Sequence, residues 1–303
     1  RRVLFRSNNG AIGADAKSDY RNELNTFGYV VEMDPYQPQE LVRKRTALGR
    51  IAHESVSFAA PVVGQPVVAY MGDDSRGEYI YKFVSTALWN AADANAADRM
   101  AMGDKYLDSG KLYVAKFNAD GTGTWVELST TNTAIASYAS YKFADAADIC
   151  INTRLAADAV GATKMDRPEW NAVNPANGEI YFTLTNNSNR SVNPSGSQYL
   201  PDAANPRAYT DMKGTAKQDG NPNGHLVRLK EGASVSAFTW DVYLFGAEAG
   251  ADKAMVNISS LTADQDFSSP DGLAFSKATG ICWIQTDDGA YTDVTNCMML
   301  AAV

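Results

Sequence analysis

The amino-acid sequence predicts an all-β fold, a β-propeller, on three observations. Met165-Asp-Arg-Pro-Glu-Trp170 opens an apolar-alternating run, an Asn177-Gly178 turn follows, and a second run from Glu179 to Asn187 ends in small polar residues. That is the pattern of a β-hairpin with a carboxylate at its mouth, and Asn-Gly is the tight turn that matches strand twist. The pattern returns at Pro270-Asp-Gly-Leu-Ala-Phe275, Thr279-Gly280 and Ile281-Cys-Trp-Ile284, aligning Glu169 with Asp271, Val173 with Phe275 and Tyr181 with Trp283 at one offset. An earlier version reads His53-Glu54, Phe58, Gly64, Val67 to Tyr70 and Gly72-Asp-Asp74, with one extra residue before the turn. Hairpins repeated in this way, with further strands between them, describe four-stranded blades set around an axis. A β-sandwich gives the repeated acid no common place, and a β-helix needs shorter, regular turns.

Taken in order, residues 8–26 are polar and aperiodic and predict a surface loop. Phe27 to Pro35 reads as a short strand stopped by Asp34-Pro35, and Leu41 to Leu48 as a half-exposed outer strand. After the first acid-bearing hairpin, Glu78 to Ser85 is a strong alternating strand, and residues 86–110 predict a loop with a helical turn. Lys111 to Phe117 and Thr124 to Leu128 flank Asn118-Ala-Asp-Gly-Thr-Gly123, a hairpin whose turn lacks the spaced ligands of an EF-hand. Residues 133–161 change to helical spacing closed by Gly161 and predict an insertion of one or two helices. A long Asn/Pro/Gly/Ser loop covers 188–222, strands follow at His225 to Lys230 and Phe238 to Phe245, and a small-residue loop over 247–265 delivers Asp271.

The 303 residues, 45% hydrophobic, are enough for one large core. A net charge of −8 offers no basic stripe for nucleic acid. No apolar run approaches the ~20 residues of a membrane span. Cys150, Cys282 and Cys297 are odd in number and without CxxC spacing, so neither a zinc site nor a disulfide framework is indicated. Buried free thiols are expected at Cys150 and Cys282. Arg1 to Ser7 reads as a translated sequencing adapter, and Met298 to Val303 stops inside a strand. The expectation is one propeller domain over 8–303, an internal fragment cut at both ends.

In a propeller, the innermost strand of each blade begins at the mouth of the central channel. Glu54, Glu169 and Asp271 open equivalent hairpins and would meet at one axial site, with Asp73 or Asp74 added from a hairpin end. Converging carboxylates without countercharge are unfavourable and take up protons, whereas a hard cation bound by oxygen ligands removes the problem. Arg167, two residues before Glu169, either pairs with a carboxylate such as Asp166 or forks onto an anionic substrate. His53 either ligates metal, orients Glu54 or is structural. No phosphate-cradling glycine loop and no GxSxG is present.

Several stretches resemble the PhoX alkaline phosphatase family. They are Lys44-Arg-Thr-Ala-Leu-Gly-Arg-Ile-Ala-His-Glu54, Gly72-Asp-Asp74, Tyr79 to Ser85, Gly110 to Asn118, Asp166-Arg-Pro-Glu-Trp170, Leu184-Thr-Asn-Asn187 and Ser269-Pro-Asp-Gly272. The resemblance runs from about Phe27 to the C-terminus. It implies a six-bladed propeller, exported by the twin-arginine route to the periplasm or outside the cell, that hydrolyses small-molecule phosphomonoesters at an iron and calcium cluster. By motif it implies Glu54 and Glu169 as cluster ligands, Asp73 or Asp74 and Asp271 as calcium ligands, and Arg167 as a phosphate contact. The family's cysteine iron ligand precedes the region where this chain begins, and none of the three cysteines here takes that place. The chain is therefore expected to be a monomeric part of an enzyme, inactive alone. A calcium-dependent lactonase propeller and a non-catalytic calcium-binding propeller are the alternatives.

Overall fold

A computed structural model describes residues 13–14, 25–290 and 297–302. Arg1 to Ser7 and most of the 8–26 stretch lie outside the described residues. The chain is mostly β and propeller-like.

A ribbon of β1 (Val30–Glu32) and β2 (Arg43–Arg45) leads into β3 (His53–Phe58), β4 (Pro66–Asp73), β5 (Ile80–Leu88), β6 (Gly110–Phe117) and β7 (Thr122–Glu127), which pair in chain order. The second unit contains β8 (Pro168–Val173), β9 (Ile180–Leu184), β12 (His225–Glu231) and β13 (Ala237–Phe245), with a small hairpin, β10 (Tyr209–Lys213) and β11 (Ala216–Gly220), beside it. Pairing of β7 with β13 fuses the two units into one nine-stranded order, β3-β4-β5-β6-β7-β13-β12-β9-β8. The end strands of that order then meet through side chains. Ser55 and Ser57 of β3 donate to the backbone carbonyls of Glu169 and Asn171 on β8, at 3.3 and 2.6 Å, which nearly closes the ring. A third unit, β14 (Pro270–Phe275), β15 (Cys282–Thr286) and β16 (Met299–Ala302), packs on β8 and β9.

Strand periodicity explains the layers, because successive side chains point to opposite faces. On the first unit Met71, Tyr81, Phe83, Leu112 and Val114 face the short helices α2 (Thr133–Ala136), α3 (Ala146–Ile151) and α4 (Thr153–Ala159). Their neighbours Tyr70, Ile80 and Tyr113 face the other way, onto Phe182, Leu184, Val227 and Phe238 of the second unit. Tyr181 and Leu226, on the far face of that unit, pack against Leu273, Cys282 and Ile284 of the third. Helices on an outer face and hydrophobic layers between units leave the strand beginnings free to carry chemistry.

Several expectations change. Residues 86–110 hold a full helix, α1 (Arg99–Leu107), whose Asp98 caps the Ala101 amide. Arg45, read as half-exposed, is buried and held by Glu32, Asp104 and Asp108, so this outer strand serves to anchor α1. The 188–222 loop contains the β10–β11 hairpin, and the helical insertion is three short helices. Cys150 is half-buried. The hairpin turns are wider than two-residue Asn-Gly turns. Gly178 N–H donates to Asn174 O and Asn174 N–H to Glu179 O, and the same two bonds recur from Gly280 to Ser276 and Ser276 to Ile281. Gly178 and Gly280 have φ of 75° and 74°, where glycine is preferred. The repeat seen in the sequence is therefore a repeat of loop geometry. Among the described residues, no helix is long and apolar enough to cross a membrane.

Candidate active site

Each of the three hairpins carries the same β-bulge at its acid. Between His53↔Asp73 and Val56↔Met71, β3 advances three residues while β4 advances two. The same slip lies between Pro168↔Leu184 and Asn171↔Phe182, and between Pro270↔Thr286 and Leu273↔Ile284. The extra residues are Glu54-Ser55, Glu169-Trp170 and Asp271-Gly272. A bulge re-aims side chains out of strict alternation, and bulges concentrate beside functional sites. Arg167 and Ser269, each preceding the proline before an acid, hold left-handed backbone at φ 60° and 54°. A residue before proline resists helical geometry, so packing must hold this turn in place.

The bulges bring Glu54, Glu169 and Asp271 together, with one carboxylate oxygen from each within 4.8 Å of the others. Glu169 is buried, Asp271 half-buried and Glu54 exposed. Asp74 joins from the end of β4. Arg167 Nη2 donates to Asp74 Oδ2 at 3.1 Å and lies 2.7 Å from Glu169 Oε1. Its Nε sits 2.9 Å from Asp74 Oδ1 without hydrogen-bond alignment, leaving that buried oxygen with no hydrogen bond. The guanidinium thus bridges two hairpins along one edge.

Four carboxylates against one guanidinium leave excess negative charge. Burial pushes Glu169 up to about 10, and the charge of Asp74 adds to it. The protonated Glu169 donates to Asp271. Burial also raises Asp271, against that hydrogen bond, and the charges of Asp287 and Asp74 raise it further. Glu54, though its residue surface is largely open, is raised by partial burial of its carboxyl and by the charges of Asp74 and Asp271. Without a cation Glu169 holds a proton at neutral pH. The donor set is all oxygen, it includes an orphaned buried Asp74 Oδ1, and its charge exceeds its countercharge. All three features fit a hard cation.

Asp73, expected as an alternative to Asp74, is turned away. It is fully buried, accepts the Ala52 amide at 3.1 Å and is gripped by both Nε and Nη2 of Arg154 from α4. Asp166 does not pair with Arg167. It is buried and accepts from Arg190 at 2.7 Å, Asn187 at 2.7 Å and Asn221 at 3.0 Å, a network that backs the turn. His53 Nε2 bonds Gly49 O at 2.9 Å and burial lowers its pKa, so it stays neutral and outside the acidic group. His225 is buried between Ala204 O and the Asn221 side chain. The Asn118–Gly123 turn is closed by Asp120 on Thr122 and by Trp240 Nε1 on Thr122 O.

Sequence reading missed Asp287. It follows the residue paired with Pro270, as Asp74 follows the residue paired with His53, so Asp74 and Asp287 are bulge-register equivalents. The signal was present in the matching Gly72-Asp-Asp74 and Thr286-Asp-Asp288 ends.

With this geometry in view, the comparisons with known proteins are specific. The family model for alkaline phosphatase PhoX matches residues 5–301. Among curated proteins, none matches the chain. A solved structure, Pseudomonas fluorescens PhoX in complex with vanadate, a transition state analogue, is 38% identical and superposes with a TM-score of 0.75. The match covers 95% of this chain and 49% of that one, so the chain spans about half the length of the PhoX it matches. Sequence and fold agree: the chain belongs to the PhoX alkaline phosphatase family.

Proposed function

We propose that this chain supplies the acidic wall and the arginine of a metal-dependent phosphomonoester hydrolase, in an exported, periplasmic or extracellular protein. One observation carries the reading: three bulged hairpins deliver Glu54, Glu169 and Asp271 to one point, with Arg167 on its edge. Glu54, Glu169, Asp271 and Asp74 would hold the cations, calcium and iron by family resemblance. Bound there, the cations supply charge neutralisation for phosphoryl oxygens and an activated oxygen nucleophile.

The chain's own residues then have separate tasks. Asp74 holds one edge of Arg167, orienting the guanidinium before any anion arrives. Its planar fork matches two phosphoryl oxygens, and a donor already in place costs no reorganisation as charge develops. Glu169 must release its proton when a cation enters, so cation affinity rises with pH. The vanadate complex of the Pseudomonas fluorescens relative supports an anion of phosphoryl shape as the ligand. A lactonase would need no arginine at this position, so Arg167 favours the phosphatase.

The test is calcium and iron titration of the chain, with 4-nitrophenyl phosphate and lactone hydrolysis measured on the chain and on a chimera replacing its counterpart in the Pseudomonas fluorescens protein. Glu169→Gln is expected to weaken cation binding at least tenfold and to remove phosphatase turnover. Retention of both metal content and turnover by Glu169→Gln sinks the assignment, and lactone turnover alone moves the protein to the other class.

A further inference from the structure

The second residue of the first two bulges lies against the next hairpin. In β3 it is Ser55, whose hydroxyl ties onto β8 by accepting from Asn171 N at 2.8 Å. In β8 the same position is Trp170, which stays 40% exposed between two buried polar neighbours, Glu169 and Asn171. A tryptophan held partly open to solvent offers a large apolar face with a polar edge to whatever lies beside it. Thr183 fixes the strand beside it. Its hydroxyl accepts from Trp170 N at 2.9 Å and donates to Asp271 O at 2.6 Å, locking β8 to β14.

Between Trp170 and β14 lies a cavity of about 350 Å³, lined also by Leu273, Ala274, Gln285, Thr286 and Asp271. Its volume falls in the range of small-molecule sites, which are mainly apolar with a few polar groups. In β14 the second bulge residue is Gly272. A Cβ there would stand 2.2 Å from Gln285 Oε1, so glycine lets that amide lie along the wall. Asp271 belongs both to this lining and to the acidic group, so the cavity borders the candidate site at that residue. The lining contains no cation and includes a carboxylate, so an anionic occupant is disfavoured.

We propose that the Trp170 cavity seats the uncharged apolar or aromatic leaving group of a phosphomonoester whose phosphoryl end lies at the carboxylates and Arg167. The inference rests on the phosphomonoesterase reading for its substrate, while the cavity's affinity for the leaving group alone stands apart from it. A planar ring stacks on the indole face, its oxygen directed toward the acidic group, and the Gln285 amide offers a hydrogen bond to a ring substituent. Esters with small polar alcohols gain none of this.

Two measurements separate the two readings. In calorimetric titration with 2-naphthol, the chain is expected to bind it and Trp170→Ala to weaken binding at least tenfold. Trp170→Phe, which keeps a stacking face, restores most of the affinity and controls for misfolding. Ala274→Leu, which fills the cavity, weakens it likewise. In hydrolysis, on the chain and the chimera, the kcat/KM ratio of 2-naphthyl phosphate to glycerol phosphate is expected to fall about tenfold in Trp170→Ala. Naphthol binding that is lost in Trp170→Ala, with a chimera that hydrolyses neither ester, supports the cavity and removes the phosphatase reading. Hydrolysis with an unchanged ratio, or naphthol binding indifferent to Trp170, overturns the cavity and leaves the phosphatase reading intact.

Discussion

Asp73 and Asp74 are adjacent in the chain, and each meets an arginine, yet the two centres do opposite things. Arg154 grips Asp73 with two nitrogens, lies 3.5 Å from Glu78, and joins α4 to the end of β4 in a closed knot. Arg167 touches Asp74 and Glu169 along one edge and remains a quarter exposed beside Glu54 and Asp271. In the first centre two carboxylates face one guanidinium, and one proton balances the sum. Burial puts that proton on Glu78, pushed up to about 8 with help from the Asp73 charge. In the second, four carboxylates face one guanidinium, and a single proton on Glu169 leaves the group negative. A centre that a proton can neutralise is structural. A centre that needs more than a proton fits a cation.

The largest expected effect comes from cutting the first centre. Arg154→Met leaves the buried Asp73 carboxylate without its countercharge, with only the Ala52 amide on it, which costs ~3–5 kcal/mol of folding stability in urea titration. Arg167→Met, at a group where Glu169 already carries a proton and the guanidinium is a quarter exposed, costs less, about 1 kcal/mol. Its signature lies elsewhere: without the competing guanidinium, cation affinity rises about tenfold, ~1.4 kcal/mol, while vanadate or phosphate binding falls. Equal stability losses from the two variants would mean that the two arginine centres do the same structural job.

The contrast was half legible in the sequence. The three acids stand in a repeat that hydrophobic alternation and Gly178 or Gly280 mark plainly, and the structure supplies the shared bulge behind it. Which of Asp73 and Asp74 faces the axis was not legible. That choice depends on Arg154, distant in the chain and brought in by α4 within a run that reads only as helical spacing. Asp166 was hidden for the same reason, since its partners Arg190 and Asn221 lie in a stretch that looks like an unstructured loop. Helix α1 escaped notice because its buried face is only Met100, Gly103 and Tyr106 in an Ala- and Asp-rich background.

A second test uses protons. A carboxyl raised in the folded state stabilises the fold fully below its unfolded pKa of 4.5, and that stability is lost as pH rises toward the folded value. Both Glu78, at about 8, and Glu169, at about 10, therefore make the cation-free chain less stable between pH 5 and 8, by up to ~1.4 kcal/mol per pH unit each. Glu78→Gln is expected to remove one share of the slope, and saturating calcium the other. Should calcium abolish the slope in wild type without help from Glu78→Gln, the knot at Arg154 is not titrating separately from the axial group.

The smallest effect tests how the axial group keeps its spacing. Ser55 Oγ accepts from both the backbone N–H and the side-chain amide of Asn171, at 2.8 and 2.6 Å, one residue from Glu54 and two from Glu169. Ser57, one step along the same strand face, donates to Asn171 O at 2.6 Å, farther from the mouth. Ser55→Ala leaves a buried amide without its acceptor and costs ~1–3 kcal/mol, whereas Ser57→Ala removes one bond for ~1 kcal/mol. Stability alone hardly separates the pair, so cation affinity is the deciding measurement. Loss of the Ser55 tie lets β3 drift from β8 at the point where, on the proposed reading, Glu54 and Glu169 would share an ion, and calcium binding is expected to weaken about fivefold, ~1 kcal/mol. Ser57→Ala, with the bulges still zipped, is expected to stay within twofold of wild type. Equal losses of calcium affinity would mean that general closure of the ring, and not the seam at the bulges, sets the distance between the carboxylates.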